Sequence, residues 1–270
     1  MLVAFYENAF ASRRLRTERL SGIDFETLMG VLGGAFRTTL SLGGQIVELL
    51  EFDRCGKPYS EHSSASDLIF QHFAIAVSDI AEAYRRLSQI RGRTAVSRAG
   101  PERLPASSGG VTAFKFRDPE GHPLEFLAFP GTTVPPPWRS LMGKEGCIGI
   151  DHSAISDSGT ARSVAFYETL GFRVSAHSSN RGIEQDNLDN LASVQDEVTA
   201  LMAHMTTPHF ELICYREVAP CHAVTRCNAD IATTRRIFEA SGATVSRALA
   251  DPDEHRLLFE GTVPSSEAVT

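Results

Sequence analysis

The hydrophobic pattern of the chain repeats itself. Residues 68–87 begin with a β-rich apolar run and continue, after Asp79 as a helix N-cap, with apolar residues at helical spacing. Residues 148–170 repeat this order, and Gly171 follows where the second helix should end. The pattern predicts a strand followed by a helix in both places.

Partial copies of the same unit lie elsewhere in the chain. The segment VAFYE occurs at 3–7 and again at 164–168, so the chain enters one copy inside its helix, without the first strand. A weaker copy begins near Cys221. The ends of two copies also match, since Asp-Pro turns at Asp118 and Asp251 each precede a short apolar strand. Internal repetition therefore governs the fold prediction.

Each copy predicts a βαβββ module, a helix among several strands. The fold class is α+β, with repeated modules that form curved mixed sheets in two tandem domains. The Pro- and Gly-rich stretch between the second and third copies is the best linker candidate. The predicted boundaries are modules at about 1–60, 68–130, 148–217 and 220–262, a linker at 131–147, a tail at 263–270, and domains at 1–130 and 148–262.

Charge and composition limit the classes of molecule that the protein is expected to bind. A net charge of -7 without a dense Lys/Arg block argues against nucleic acid and anionic membranes, and leaves a small-molecule substrate. No apolar run approaches the roughly 20 residues that span a bilayer, and the N-terminus lacks the features of a secretion signal, so we expect a cytoplasmic protein. The five cysteines are odd in number and form no C-x-x-C pair, which predicts reduced packing residues.

Two predicted strands carry a histidine on an unusual face. Alternate residues of a strand share a face, so His72 lies beside Ala74 and Ala76, and His152 lies beside Ala154 and Ser156. A packing face would normally carry Val, Ile or Leu at such positions. Small neighbours leave room for a metal or a ligand beside each imidazole. His72 and His152 are therefore candidate metal-ligating residues.

Three predicted strands carry a glutamate in their middle, flanked by apolar residues. These are Glu48, Glu125 and Glu211. An unpaired buried carboxylate costs at least several kcal/mol, so each must be neutralised, paired with a cation or bound to a metal. For Glu48 the competing interpretation is an ion pair with a nearby arginine. Imidazole nitrogen and carboxylate oxygen together suit a divalent Zn, Ni, Fe, Mn or Co ion, and the identity stays open.

The sequence resembles the vicinal oxygen chelate superfamily, which includes glyoxalase I, extradiol ring-cleaving dioxygenases, and fosfomycin and bleomycin resistance proteins. The resemblance covers nearly the whole chain. It rests on the openings QHFAIAVSDIAEAYRRL and IDHSAISDSGTARSVAFYETLGF and on the ending DPEGHPLEFLAF. It implies that two modules form a cup around one metal, to which each module contributes a first-strand His or Gln and a last-strand Glu.

On that resemblance, modules two and three carry complete ligand pairs, His72 with Glu125 and His152 with Glu211. Module one keeps Glu48 but has no matching His, and module four has no matching Glu. Because the losses are confined to the end modules, we favour pairing of the middle modules, which would assemble all four ligands. The alternative pairs module one with two and three with four, which would place Glu48 beside His72 and Glu125.

Three functions are compatible with the resemblance. Four ligands favour a metal-dependent small-molecule enzyme of the glyoxalase type, with isomerase or lyase chemistry through a metal-bound enediolate and Glu125 or Glu211 as the catalytic base. The first alternative is an extradiol-type dioxygenase that uses Fe(II), disfavoured because Lys115 stands where that branch has a Tyr. The second is a non-catalytic protein that binds a small molecule or an antibiotic.

Other features give weaker expectations. A module that opens inside its helix leaves a sheet edge uncovered, which points to a misplaced start or to a second subunit, as in a homodimer. His122 and His255 follow the Asp-Pro turns and are predicted to be turn residues. The polar segment 178–190 is predicted to be a loop over the cup, with Asn180 and Arg181 able to contact a substrate.

Overall fold

The structure is a computed structural model that describes residues 1–56, 63–131, 133–143, 146–203, 208–216, 231–232, 244–253 and 256–262. Module one contains α1 (Leu2–Phe10), β1 (Arg13–Leu20), α2 (Ile23–Met29), β2 (Ala35–Leu42) and β3 (Gln45–Phe52). Module two contains β4 (Phe70–Val77), α3 (Ile80–Ser88), β5 (Thr94–Ala95), β6 (Glu102–Arg103), a 3₁₀ turn (Ala106–Ser108), β7 (Thr112–Arg117) and β8 (Pro123–Ala128).

A short helix, α4 (Pro136–Arg139), lies between the middle modules. Module three contains β9 (Cys147–Ser156), α5 (Thr160–Thr169), β10 (Arg173–Arg181), α6 (Ile183–Asp189), β11 (Gln195–Met202) and β12 (His209–Arg216). The described residues of module four form β13 (Ile231–Ala232), β14 (Thr244–Ala250) and β15 (Arg256–Thr262). The order of modules one to three, with helices among strands, is the α+β pattern that the sequence predicts.

One sheet runs through modules two and three in the order β10-β11-β12-β9-β4-β8-β7-β5, and β6 pairs with β7. In each of these modules the first strand is parallel to the last, and the two first strands, β4 and β9, pair antiparallel with each other. The predicted pairing of the middle modules is therefore confirmed. Because the sheet continues across the predicted linker, the division into two domains stays a prediction.

The strands of the end modules form separate sheets, β1-β2-β3 and β13-β15-β14. Module one is joined to module two by helix packing, since Phe5 and Phe10 of α1 are buried in one core with Leu87 of α3 and with Phe116 and Phe126 of the large sheet. Full burial of each such side chain stabilises the fold by about 1.5–3 kcal/mol. This packing fixes the outer face of the sheet on module two.

Helix α3 begins as the sequence predicts. The Asp79 carboxylate accepts a hydrogen bond from the Glu82 backbone N–H at 3.0 Å, which satisfies one of the free amides of the first turn. Ala83 and Leu87, spaced four residues apart, face the core. The cap and the apolar stripe together explain why this segment is helical directly after a strand.

The repeated motifs of the sequence meet in space. Tyr6 of the first VAFYE helix donates a hydrogen bond to Asp118 at 3.4 Å, and Tyr167 of the second donates one to Asp251 at 3.0 Å. Each tyrosine thus holds the Asp-Pro turn of the following module. His122 Nδ1 lies 2.9 Å from the Asp118 carboxylate, as suits a turn residue, whereas His255 lies outside the described residues.

The predicted linker is packed against the sheet. Trp138 in α4 is 4% exposed and lies with Ala76, Val134 and Ile148. Its indole N–H donates to Asp151 Oδ1 at 2.6 Å. The proline-rich stretch therefore positions a side chain of the sheet rather than acting only as a spacer.

The prediction of a loop at 178–190 is wrong, because residues up to Arg181 continue β10 and Ile183–Asp189 form α6. Gly182, with a φ of 108°, makes the turn between them. β10 is the edge strand of the sheet and pairs antiparallel with β11. Because an edge strand can carry many polar residues, its sequence resembles that of a loop. No helix in the described part of the chain is long and apolar enough to cross a membrane.

Among the described cysteines, Cys55, Cys147 and Cys214 are free thiols. Burial raises the pKa of Cys147 to about 12, so this thiol stays protonated and unreactive at neutral pH. Cys147 and Cys214 fit the predicted packing role, whereas Cys55 is exposed. Cys221 and Cys227 lie outside the described residues.

Candidate metal centre

Four side chains from four adjacent strands meet at the middle of the large sheet, namely His72 on β4, Glu125 on β8, His152 on β9 and Glu211 on β12. His72 Nε2 lies 2.9 Å from Glu125 Oε2 and 3.2 Å from His152 Nε2. His152 Nε2 lies 3.6 Å from Glu125 Oε2 and 3.5 Å from Glu211 Oε2. The structure thus brings together the four candidate residues of the middle modules.

Two alanines make this convergence sterically feasible. Ala74 lies between its register partners Glu125 and His152, and Ala154 lies between Glu211 and His72. Both alanines are 0% exposed. A larger side chain at either position would fill the space into which the imidazole and carboxylate groups point. The small-residue face noted in the sequence is therefore the floor of the cluster.

The separations within the cluster fit a shared cation. Two donors bound to one ion at about 2.1 Å lie about 3.0–3.4 Å apart in tetrahedral or octahedral coordination. The separations among the donors of His72, Glu125 and His152, between 2.9 and 3.6 Å, match that spacing. Glu211 Oε2 adds a donor 3.5 Å from His152 Nε2. Two imidazole nitrogens and two carboxylate oxygens suit Zn, Ni, Fe, Mn or Co. The residues fit a divalent metal ion, and nothing in the donor set selects one of these metals.

The electrostatics of the cluster favour one positive charge at its centre. Burial acts to lower the pKa of His152, but Glu211, Asp151 and Glu125 outweigh it and raise that pKa well above its usual value. Burial lowers the pKa of His72. Burial acts to raise the pKa of Glu125, but the neighbouring imidazoles hold it well below its usual range. A metal ion must displace the His152 proton, so we expect metal affinity to rise with pH.

A β-bulge adds a fifth residue, Asp151, behind the cluster. In the β4–β9 register Ala74 pairs with His152 and Ile75 with Ile150, which leaves Asp151 as the extra residue of β9. The bulge brings Asp151 Oδ2 to 3.1 Å from His152 Nδ1. A carboxylate on Nδ1 fixes the ring orientation and directs the Nε2 lone pair toward a metal.

We expect Asp151→Asn to lower the metal affinity of the protein by about tenfold, because the amide no longer fixes the His152 tautomer. The measurement is a competition titration of the purified protein against a coloured chelator. Asp24→Asn, at an exposed position of α2, is the matched control. An unchanged affinity in Asp151→Asn would show that the bulge does not serve the site.

Glu48 lies elsewhere, so the structure does not place this predicted ligand at the centre. It is on β3, in the separate sheet of module one. Glu48 Oε2 is 3.6 Å from Arg37 Nη1, and Oε1 accepts a hydrogen bond from Thr39 at 3.5 Å. The arginine neutralises the carboxylate, as in the competing interpretation from the sequence.

His209 is a further side chain of the centre that the sequence analysis passed over. Its Nε2 lies 2.9 Å from Glu211 Oε1, and its Nδ1 lies 3.8 Å from Asp151 Oδ2. The spacing of two residues from Glu211 on one strand was the available signal, since such residues share a face. No comparable signal identified Asp151, because strand neighbours point to opposite faces unless a bulge intervenes.

Asp196 on β11 is buried near this face, 1% exposed, and accepts a hydrogen bond from Asn180 at 2.7 Å. Burial, helped by the charge of Asp189, raises the pKa of Asp196 to about 7. An unfolded Asp has a pKa of about 3.9, so the folded protein holds this proton more tightly. Protonation of Asp196 therefore stabilises the folded protein. This stabilisation is fully present below about pH 4 and is lost as the pH rises through about 7.

We therefore expect metal-free Asp196→Asn to be about 3 kcal/mol more stable than wild type at pH 8, with most of that gain absent near pH 4.5. Urea unfolding at the two pH values measures the difference. Asp186→Asn would serve poorly as a control because its carboxylate caps backbone amides, so Asp24→Asn is used instead. A gain of equal size at both pH values would contradict the prediction.

No protein-family model matches the chain, and no curated protein matches it. Among solved structures, maize glyoxalase I has a TM-score of 0.56 at 16% identity, covering 96% of this chain and 86% of that one. A mutant of the same enzyme has a TM-score of 0.59 at 15% identity, with 96% and 87% covered. A Bacillus subtilis protein provisionally described as a dioxygenase has a TM-score of 0.53 at 12% identity, with 96% and 80% covered.

These likenesses define the class of fold. The chain has the vicinal oxygen chelate fold, as the sequence predicts, with two modules edge to edge in one curved sheet. At such identities the likeness concerns the fold alone, and the chemistry must be argued from the site.

Proposed function

We propose that the protein is a metal-dependent enzyme of the glyoxalase type, which moves a proton between adjacent carbons of a small molecule. The observation that carries the proposal is the buried group of His72, Glu125 and His152, whose ligand atoms all lie within 4.8 Å of one another. Glu211 Oε2 lies 3.5 Å from His152 Nε2, at the side of this group. A divalent ion held there would polarise two vicinal oxygens of the substrate and make the neighbouring C–H more acidic. The four side chains would then bind the ion, and one of the carboxylates would act as the base.

The two carboxylates are suited to different roles. The Glu125 side chain is 6% exposed and lies near both His72 and His152, so it is fixed. The Glu211 side chain is 18% exposed and is contacted by His209. Glu211 is therefore the carboxylate that can turn toward a substrate and accept its proton.

The electrostatics of Glu211 support this assignment. Burial acts to raise its pKa, but His152 and then His209 hold it at about 2, too low for an effective base. Turning away from His152 would remove the main interaction that lowers the pKa and would leave a carboxylate in a poorly solvated cup. Its basicity would rise at the moment it meets the substrate.

The two alternatives have less support. A ring-cleaving dioxygenase needs two His, one Glu and open positions on Fe(II), and His72, His152 and Glu125 match that set. We place it second because Glu211 Oε2 lies 3.5 Å from His152 Nε2 and offers a further carboxylate beside the group. A metal-free binding protein would have no use for a buried group of two imidazoles and one carboxylate with metal-ligand spacing. We also propose a small-molecule partner and a cytoplasmic location, from the charge and sequence arguments above.

The test is solvent deuterium exchange into the carbon next to a carbonyl, followed by NMR with the zinc- or nickel-loaded protein. The probes are the hemithioacetal of methylglyoxal with glutathione, and hydroxyacetone. We expect exchange above that of the free metal, lost in Glu211→Gln while the metal is retained. No exchange with either probe, together with oxygen-dependent cleavage of catechol by the Fe(II) protein, would overturn the proposal.

A further inference from the structure

A buried ammonium group faces the same cup as the metal centre. Lys115 on β7 is the register partner of Glu125, and it is 7% exposed. Its Nζ donates to Asp189 Oδ1 at 2.5 Å. Burial acts to lower the pKa of Lys115, but Asp189 and then Glu125 raise it above its usual value, so the group stays charged.

The Asp189 carboxylate is surrounded by donors. Besides Lys115, Gln185 Nε2 donates to Asp189 Oδ2 at 2.7 Å and Tyr215 OH donates to the same oxygen at 3.1 Å. Burial and the nearby carboxylates raise the pKa of Tyr215 well above its usual value, so its hydroxyl remains a donor. Lys115 and Tyr215 belong to the sheet and together form a cradle of the size and polarity of one carboxylate.

The carboxylate that fills this cradle comes from α6, outside the sheet. α6 is a seven-residue helix between Gly182 (φ 108°) and Asn190 (φ 53°). Leu188 belongs to one buried core cluster with Ala74 and Leu127, strand residues two positions from His72 and Glu125. A ligand that enters the cup must therefore take space that α6 now occupies.

The fold of α6 does not itself require an acid at this position. Module one has an equivalent helix, α2, which also begins after a glycine (Gly22, φ 107°) and ends at a left-handed residue (Gly30, φ 67°). In α2 the last residue is Met29, which is buried at 3% exposure. The acid at Asp189 thus belongs to the site in the middle modules rather than to the helix.

We infer that Lys115 and Tyr215 form an anion subsite that binds a carboxylate of the substrate, and that Asp189 occupies this subsite when no substrate is bound. A buried ammonium cannot lose its counter-ion without a large penalty, so a neutral ligand cannot displace Asp189, whereas an anionic one can. The substrate class is a small carboxylate that also carries vicinal oxygens. This last statement rests on the proposed function; the subsite itself does not.

The subsite is tested first in metal-free protein, by thermal unfolding of Asp189→Ala with added sodium acetate against sodium chloride at equal ionic strength. We expect acetate to raise the Tm by about 5 °C, because it replaces the lost carboxylate. Met29→Ala, the same change in the equivalent helix, should not respond. If Asp189→Ala does not fold, Asp189→Ser is used, because its short side chain also leaves the cradle open to acetate.

Two double variants test whether the effect of acetate on Asp189→Ala depends on Lys115 and Tyr215. Lys115→Met/Asp189→Ala should lose it, and Tyr215→Phe/Asp189→Ala should bind acetate about fivefold more weakly, as expected for one hydrogen bond. An Asp189 variant that responds to acetate no more than to chloride would overturn the inference. So would an equal response after the lysine is removed.

The second arm asks whether the subsite and the metal centre serve one ligand. Calorimetry on zinc-loaded protein compares catechol with 3,4-dihydroxybenzoate, which share vicinal oxygens and differ in the carboxylate. We expect the carboxylated probe to bind about tenfold more tightly, and Lys115→Met/Asp189→Asn to abolish the difference. Equal affinities in wild type would overturn the substrate class. Failure to bind zinc would overturn the proposed function and leave the acetate result to decide the subsite.

Discussion

Replacing Glu125 with glutamine lowers the affinity of the protein for a divalent metal by at least about 100-fold. Loss of a residue that only hydrogen-bonds a ligand costs about 10- to 100-fold in metal affinity, and loss of a charged ligand costs more. Glu125 Oε2 lies within 3.6 Å of the Nε2 atoms of both His72 and His152. No other described carboxylate forms an ion pair with both of these histidines. The amide is a weaker donor and leaves the buried ion with less compensating charge. Competition with a coloured chelator measures the affinity.

The matched control is Glu120→Gln, the same substitution at an exposed position of the neighbouring Asp-Pro turn. It should bind metal as wild type does, since its side chain lies outside the cup. Circular dichroism of both variants establishes that each is folded. An affinity of Glu125→Gln within about threefold of wild type would remove Glu125 from the ligand set.

Lys115→Met destabilises the metal-free protein by about 3–5 kcal/mol, because it leaves Asp189 buried without a cation. The Lys115–Asp189 pair has side-chain exposures of 9% and 0%. An additional substitution, Asp189→Asn, should restore most of the stability, since the buried charge is then removed from both partners. Urea unfolding at neutral pH measures the three proteins.

Arg85→Met is the control for this second prediction. Arg85 pairs with Glu82 at 2.8 Å on the surface of α3, with side-chain exposures of 61% and 41%. An exposed pair is screened by water and contributes little to stability, so the two methionine variants should differ several-fold in their effect. Equal losses would mean that the ammonium in the cup is not a buried charge that depends on Asp189.

The proximity of the four candidate ligands was predictable because two signals of different origin coincide on them. Small residues two positions from His72 and His152 mark a face with space, and a mid-strand Glu125 or Glu211 marks a charge that needs a cation. Both signals depend only on alternation along one strand. Repetition of the module then fixed which strands would carry them.

The remaining features depend on register and on contacts between distant segments. The compensation of Glu48 by Arg37 requires knowing which residues of β2 and β3 lie near each other. Asp151 joins the centre only because β9 bulges by one residue. α6 was hidden by its polar composition, since Leu188 is the apolar side chain that it buries in the cup. None of these is a property of local sequence.

The account rests on a single metal centre shared by modules two and three, and the most direct test is the metal content of His152→Ala. Zinc-loaded and exhaustively dialysed wild type, His152→Ala and His177→Ala are compared by inductively coupled plasma mass spectrometry, with exposed His177 as the control. The account predicts a single bound ion in wild type and in His177→Ala, and its loss in His152→Ala. Full retention of zinc by His152→Ala would show that module three supplies no ligand through His152 and would contradict the account.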